Sequence, residues 1–94
     1  MAASKLTAKR YFIRGRVQGV GFRYYAQHAA AELRVNGYAR NLDDGRVEVY
    51  AVGTREQLSE LAGLLWKGPR FADVRGVEET EAGVQQYDTF EIEA

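Results

Sequence analysis

Residues 15–23 have the sequence Gly-Arg-Val-Gln-Gly-Val-Gly-Phe-Arg and connect an apolar segment to the expected start of a helix. Glycine allows the backbone to turn with its N–H groups pointing inward. A helix N-terminus adds unpaired N–H groups and the positive end of a dipole, and the guanidinium of Arg23 adds a fixed fork of donors. The stretch therefore predicts a strand, a loop and a helix, with the loop suited to binding an anion such as phosphate.

The residues around this loop predict further strands and a helix. Residues 10–17 carry aromatic and β-branched side chains and are predicted to form a strand. Apolar or small residues then recur at helical spacing and predict a helix over residues 22–34. Two short runs, 37–42 and 46–52, flank the turn-forming Asp43-Asp44-Gly45 and predict a hairpin.

The second half of the chain predicts one helix and two more strands. A capping box from Thr54 to Gln57 and regularly spaced leucines predict a helix over about 55–66, which Gly68-Pro69 ends. Residues 71–77 and 89–93 are predicted strands joined by a polar connection.

The order of these elements predicts an α+β protein with a ferredoxin-like two-layer sandwich. In this split βαβ arrangement, two helices cover one face of an antiparallel sheet, and a short fifth strand extends it. Residues 1–8 are small and polar and are expected to be a flexible tail, so that residues 9–94 form a single domain. The fold class alone does not select a function.

The composition excludes several kinds of site. Thirteen basic and thirteen acidic residues cancel, so the chain lacks the global positive field that draws proteins to nucleic acids or anionic membranes. With no cysteine and one histidine, thiol nucleophiles, thiolate metal sites and histidine-rich metal sites within one chain are excluded, and no metal or cofactor is expected. The sequence also lacks an apolar run typical of a signal peptide or a membrane span, so we expect a cytoplasmic protein.

Two polar residues break local rules. Arg23 falls in the first turn of the predicted helix, where a positive charge costs about 0.3–1 kcal/mol unless a bound dianion reverses the interaction. Asn41 ends a predicted strand, although asparagine is a poor strand former. The alternatives are a solvated arginine and an asparagine that caps the hairpin. His28 lies off the apolar helix face and is expected to be solvated, and Asp43 and Asp44 are expected to shape the turn.

The glycines of the loop do not match the familiar nucleotide-binding patterns. Gly19-Val20-Gly21 lacks the third glycine of the dinucleotide fingerprint, and no Gly-Lys-Ser/Thr follows, as a P-loop requires. A purely structural glycine turn remains an alternative.

The chain resembles the acylphosphatase family from about residue 10 to residue 92. Residues 15–23 match the loop signature of that family, and Gly37-Tyr38-Ala39-Arg40-Asn41 is similar to its second signature. The resemblance implies hydrolysis of an acyl phosphate to a carboxylate and inorganic phosphate, with Arg23 holding the phosphate and Asn41 orienting the attacking water. The expected phosphate-binding residues are Gln18, Gly19, Val20, Gly21, Phe22 and Arg23.

The chain departs from the family pattern after each of its two predicted helices. Arg34 stands where the family often has a glycine after the first helix, and the proline pair after the second helix is reduced to Pro69-Arg70.

Two functions other than hydrolysis stay open. A non-catalytic anion-binding module is one alternative. An RNA-binding module is the other, because RNA-recognition domains share this topology, but the third strand has a single aromatic residue. We expect a monomer that acts on a small-molecule acyl phosphate, with no nucleic-acid or membrane partner.

Overall fold

A computed structural model describes residues 5–94 of the chain. Seven elements follow one another in these residues, and their bounds are as follows: β1 Thr7–Arg16, α1 Phe22–Leu33, β2 Asn36–Asn41, β3 Val47–Gly53, α2 Arg55–Lys67, β4 Asp73–Ala82 and β5 Phe90–Glu93. The predicted elements are all present in the predicted order.

The five strands form one sheet in the order β4-β1-β3-β2-β5. The first four are antiparallel neighbours, whereas β5 runs parallel to β2. The ferredoxin-like α+β fold is therefore confirmed, and the short fifth strand makes the sheet mixed. Because β5 is parallel to β2, the last residues of both strands and the end of β1 lie at the same end of the sheet.

Both helices pack on the same face of this sheet. The core between them is built from alternate residues of the strands and from the apolar helix faces, and it includes Tyr11, Ile13, Ala39, Val49, Leu61 and Leu65. Two tyrosine hydroxyls donate hydrogen bonds to main-chain carbonyls of α2. Tyr11 donates to the carbonyl oxygen of Leu58 at 3.0 Å, and Tyr25 donates to that of Leu64 at 2.7 Å. These bonds fix α2 against both β1 and the first turn of α1.

The end of α1 shows how the chain accommodates arginine in place of glycine. Arg34 is the C-cap and adopts the left-handed conformation, with φ 59°. The turn is closed by hydrogen bonds from Arg34 N to Ala31 O at 3.2 Å and from Val35 N to Ala30 O at 2.9 Å. Arg34 thus adopts the backbone geometry for which glycine is preferred.

Some predicted bounds were wrong. β1 begins at Thr7, because Thr7 and Ala8 pair with Gly53 and Val52 of β3, so these two residues do not belong to a tail. Residues 1–4 lie outside the described part of the chain. β4 runs from Asp73 to Ala82 rather than over 71–77, since β1 is long enough to pair along that length, and Phe71 is an exposed turn residue.

Candidate functional site

The loop between β1 and α1 turns by means of two glycines in the left-handed region. Gly19 has φ 75° and Gly21 has φ 78°, a conformation that is strained for residues with a side chain. No atom outside each glycine and its two chain neighbours lies within 4 Å of the position that a Cβ would take. The flanking side chains hold the loop to the body of the protein, since Phe22 is buried in the core and Val20 packs against it.

The backbone donors of this loop are used only weakly by the protein. Residues 18–21 form a hydrogen-bonded turn, but within residues 5–94 no amide N–H from Gln18 to Phe22 makes a short, well-aligned hydrogen bond to a main-chain carbonyl or to a side-chain acceptor. The first helical bond of α1 runs from Tyr25 N to Gly21 O, at 3.0 Å. A run of amides without strong internal partners, between a strand and a helix, is a favourable environment for an oxyanion.

The two helices begin in opposite ways. At α2, Thr54 accepts from Gln57 N, the Gln57 side chain accepts from Thr54 N, and Glu56 supplies an acidic residue in the first turn. At α1, the N-cap is Gly21, no side chain caps the helix, and no acidic residue occupies the first turn. Arg23 stands there instead, so no acidic side chain of the first turn compensates the positive end of the α1 dipole.

Arg23 is partly buried and is tied to the last strand. Its Nη1 donates to the carbonyl oxygen of Glu93 at 2.7 Å. Glu93 is in turn the register partner of Arg40, the residue before Asn41. Arg23 is therefore held beside the end of β2, on which Asn41 lies.

Asn41 is the last residue of β2 and pairs with Val47 of β3. Side chains alternate along a strand, so Asn41 points to the same face as Ala39, which belongs to the core under the helices. The α1 helix, with Arg23 in its first turn, covers this face. The structure thus brings Arg23 and Asn41 to one end and one face of the sheet.

Gln18 joins the loop to the hairpin that follows Asn41. Its Nε2 donates to Leu42 O at 2.8 Å and to Arg46 O at 3.0 Å. The sequence reasoning placed Gln18 among the phosphate-binding residues through its amide and did not anticipate this side-chain role. It also missed the carbonyl of Glu93, because nothing in the sequence pattern indicates which carbonyl an arginine will reach.

The other polar residues considered from the sequence lie elsewhere. His28 has a side chain that is 80% exposed and faces Glu32 at 3.0 Å, as expected for a solvated residue. Asp43 is exposed in the hairpin turn. The backbone N–H and guanidinium of Arg46 bond to Asp44 and hold the pKa of that carboxyl below its usual range. Both aspartates thus belong to the turn.

Residues 5–94 also lack two features that would indicate a metal site or a membrane span. Residues 5–94 contain no group of three or more His, Cys, Asp or Glu side chains that could hold a metal ion. No helix in that range is both long and apolar enough to cross a membrane.

Comparisons with family models, with related sequences and with solved structures all lead to the same family. The family model described as Acylphosphatase matches residues 9–92. A protein named acylphosphatase from Solibacter usitatus is 63% identical over 91 residues, which are 97% of this chain and 95% of that protein. The corresponding protein from Archaeoglobus fulgidus is 44% identical over 93% of this chain and 98% of its own length. The solved structure of an acylphosphatase from Coxiella burnetii superposes with a TM-score of 0.92 at 35% identity, covering 99% of this chain and 100% of that one.

Proposed function

Because the chain belongs to the acylphosphatase family and its activity is acyl phosphate hydrolysis, we propose a role for each residue of the site. The amides of Gln18–Phe22 and the guanidinium of Arg23 bind the phosphoryl oxygens. Asn41 orients the water that attacks phosphorus. Gln18 and Glu93 hold these groups in place, through the Gln18 side chain and the Glu93 carbonyl.

The observation that carries this proposal is the set of donors between β1 and α1 that lack strong internal partners. Five successive loop amides, an uncapped helix N-terminus and a first-turn arginine converge on one end of the sheet. A cation at a helix N-terminus costs free energy, and exposed amides without strong internal partners are free to bind an anion in place of water. A phosphoryl group, with two negative charges and several acceptor oxygens, satisfies all three.

The hydrolysis requires little covalent help from the protein. A water oxygen forms a bond to phosphorus, and the bond from phosphorus to the acyl oxygen breaks, so the bonding pair leaves with the carboxylate. The conjugate acid of such a carboxylate has a pKa of about 4, so the leaving group needs no proton. The proton of the attacking water passes to a phosphoryl oxygen, and inorganic phosphate is released.

Positioning and charge stabilisation are therefore the main tasks of the site. Donors fixed before the reaction cost no reorganisation as negative charge shifts toward the leaving oxygen. The Asn41 amide suits the remaining task, since its oxygen accepts from the water and its N–H₂ donates to a phosphoryl oxygen. Holding the water in line with the departing carboxylate removes the entropic cost of bringing it there.

We propose a cytoplasmic monomer that acts on a small-molecule acyl phosphate without a metal, a cofactor or a nucleic-acid partner. The open face of the sheet supports the last point, since Tyr50 and Tyr38 are 0% and 8% exposed and so are not available to stack on bases. Arg10 and Arg40 cover these two rings.

Replacing Asn41 tests the assignment of the water. In Asn41→Ala, kcat for acetyl phosphate should fall by about 100-fold, whereas competitive inhibition by inorganic phosphate should persist. Asn36→Ala is a matched control, because Asn36 is also a β2 asparagine and donates to Tyr87 O at the other end of the strand. An Asn41→Ala enzyme with unchanged kcat would contradict the assignment. An inactive wild-type protein that still binds phosphate would favour the non-catalytic anion-binding module.

A further inference from the structure

Glu48 is the one charged residue among residues 5–94 that is buried, with 3% of its surface exposed. It lies on β3 and faces the side of the sheet that the helices leave uncovered, next to the buried rings of Tyr38 and Tyr50. A buried carboxylate is costly unless charged and polar donors surround it. None of the steps proposed for hydrolysis uses this group.

Three side chains satisfy the carboxylate. Arg40 contacts Oε1 through Nε at 2.6 Å, and Arg10 contacts Oε2 through Nε at 2.9 Å. The hydroxyl of Tyr38 donates to Oε2 at 3.0 Å. Two of the three donors belong to β2, and the third, Arg10, belongs to β1 on the other side of β3.

The contact with Arg40 lies one residue away from Asn41. Arg40 is the register partner of Glu48, and Asn41 is the partner of Val47, so the ion pair joins β2 to β3 at the last residue before Asn41. Beyond Asn41 the chain leaves the strand for the turn of Leu42 to Gly45. Leu42 N donates to Arg46 O at 2.8 Å, so the hairpin stays paired beyond Asn41 without the ion pair. Loss of the attachment at Arg40 would loosen the end of β2 between these points, and the Asn41 side chain would shift with it.

We propose that Glu48 is a positioning residue for Asn41. Its carboxylate clamps Arg40 and Tyr38 of β2 onto β3 from the open face, and this fixes the Asn41 amide on the opposite face where the water is oriented. This inference rests on the role proposed above for Asn41. A displacement of a reacting group by about 1 Å is enough to lower a rate by about 100-fold, so a modest loosening has a measurable effect.

Two substitutions around the same carboxylate separate this role from a general contribution to stability. Arg40→Gln removes the donor on the strand of Asn41, whereas Arg10→Gln removes the donor on β1. We expect kcat to fall by about tenfold in Arg40→Gln, with inhibition by inorganic phosphate unchanged, and to stay within twofold of wild type in Arg10→Gln. Equal losses of kcat in the two variants would overturn the proposal, because they would indicate a structural role without direction toward Asn41.

A double-mutant cycle asks whether the effect passes through Asn41. If it does, Arg40→Gln in the Asn41→Ala background should lower kcat by less than twofold further. A full additional tenfold loss in that background would overturn the inference while leaving the role of Asn41 intact. An unchanged kcat in Asn41→Ala alone would instead refute the proposed function, and the inference with it.

NMR tests independently whether the loss of Arg40 or Glu48 disturbs Asn41. It is needed where turnover in the Asn41→Ala background is too slow to compare. The side-chain amide resonances of ¹⁵N-labelled Asn41 should shift or broaden in Arg40→Gln and Glu48→Gln and stay in place in Arg10→Gln. A further control, Tyr50→Phe, removes hydrogen bonds to Gly83 O and from Gln85 N on the same open face. It should lower the free energy of unfolding and leave both the resonances and kcat unchanged. Asn41 resonances unaffected by Arg40→Gln would contradict the proposal.

Discussion

The guanidinium of Arg23 donates a 2.7 Å hydrogen bond from Nη1 to the main-chain carbonyl oxygen of Glu93, 70 residues further along the chain. An arginine in the first turn of a helix is repelled by the helix dipole. The carbonyl of β5 offsets part of that repulsion and restricts the orientation of the guanidinium. The last strand therefore does more than extend the sheet, since its carbonyl fixes the orientation of Arg23.

Removing this carbonyl should weaken substrate binding. A chain truncated after Ile92 lacks the acceptor for Arg23, and the free guanidinium then samples several orientations. We expect the KM for acetyl phosphate to rise by about tenfold, the size expected for one hydrogen bond to a charged group. Ala94→Gly keeps the chain length and the uncharged Glu93 carbonyl and serves as the control. An unchanged KM in the shorter chain would show that the contact has no effect on Arg23.

The Gln18 side chain should matter for catalysis although it is not expected to touch the substrate. In Gln18→Ala the loop loses both bonds to the hairpin, at Leu42 O and Arg46 O. We expect kcat/KM to fall by about tenfold, with a loss of unfolding free energy of about 1–2 kcal/mol. Asn36→Ala, which removes one amide-to-carbonyl bond to Tyr87, should lower stability without lowering kcat/KM. A Gln18→Ala enzyme as active as wild type would refute this role.

Arg34 offers a test of backbone strain away from the site. A left-handed conformation costs a non-glycine residue about 1–2 kcal/mol, and glycine returns part of that gain through its greater freedom in the unfolded chain. Arg34→Gly should therefore raise the free energy of unfolding in urea by about 0.5–1 kcal/mol without changing kcat. In Arg34→Ala the strain persists, so no comparable gain is expected. Equal stabilisation in both variants would assign the effect to the arginine side chain instead.

The fold was predictable because its local signals agree. The capping box of Thr54 and Gln57 begins α2, Asp43-Asp44-Gly45 turns the hairpin, and the apolar period of α1 matches its buried face. Strand ends were less predictable, since they depend on partners. Thr7 and Ala8 look like a polar tail in the sequence and become a strand only because β3 pairs with them.

The arrangement of the candidate site was predictable only in part. Arg23 and Asn41 drew attention because an arginine is unfavourable in the first turn of a helix and an asparagine is a poor strand former. The glycines indicated the loop. The sequence could not show that Gln18 spans to the hairpin or that Arg23 reaches Glu93, because those contacts depend on which strands become neighbours. A glutamate in a strand is usually exposed. Glu48 is buried because the strand register places Arg10 of β1 and Arg40 of β2 in contact with its carboxylate.

The single histidine should be dispensable. His28 is exposed, faces Glu32, and lies off the buried side of α1, so it has no part in the proposed hydrolysis. In His28→Gln the dependence of kcat/KM on pH should overlay that of the wild type. A tenfold loss of kcat, or a change in the shape of the profile, would indicate a general base that the proposal omits.

The most direct test of the account is phosphate binding by Arg23→Ala. If the guanidinium holds the phosphoryl group, this variant should lose inhibition by inorganic phosphate and lower kcat/KM for acetyl phosphate by about 1000-fold. Arg55→Ala is the matched control, because Arg55 is an exposed arginine in the first turn of α2, where a capping box already satisfies the helix. It should bind phosphate and turn over substrate as the wild type does. An Arg23→Ala protein that is inhibited by phosphate as strongly as the wild type would contradict the central claim that the residue 15–23 loop and its arginine form the phosphate site.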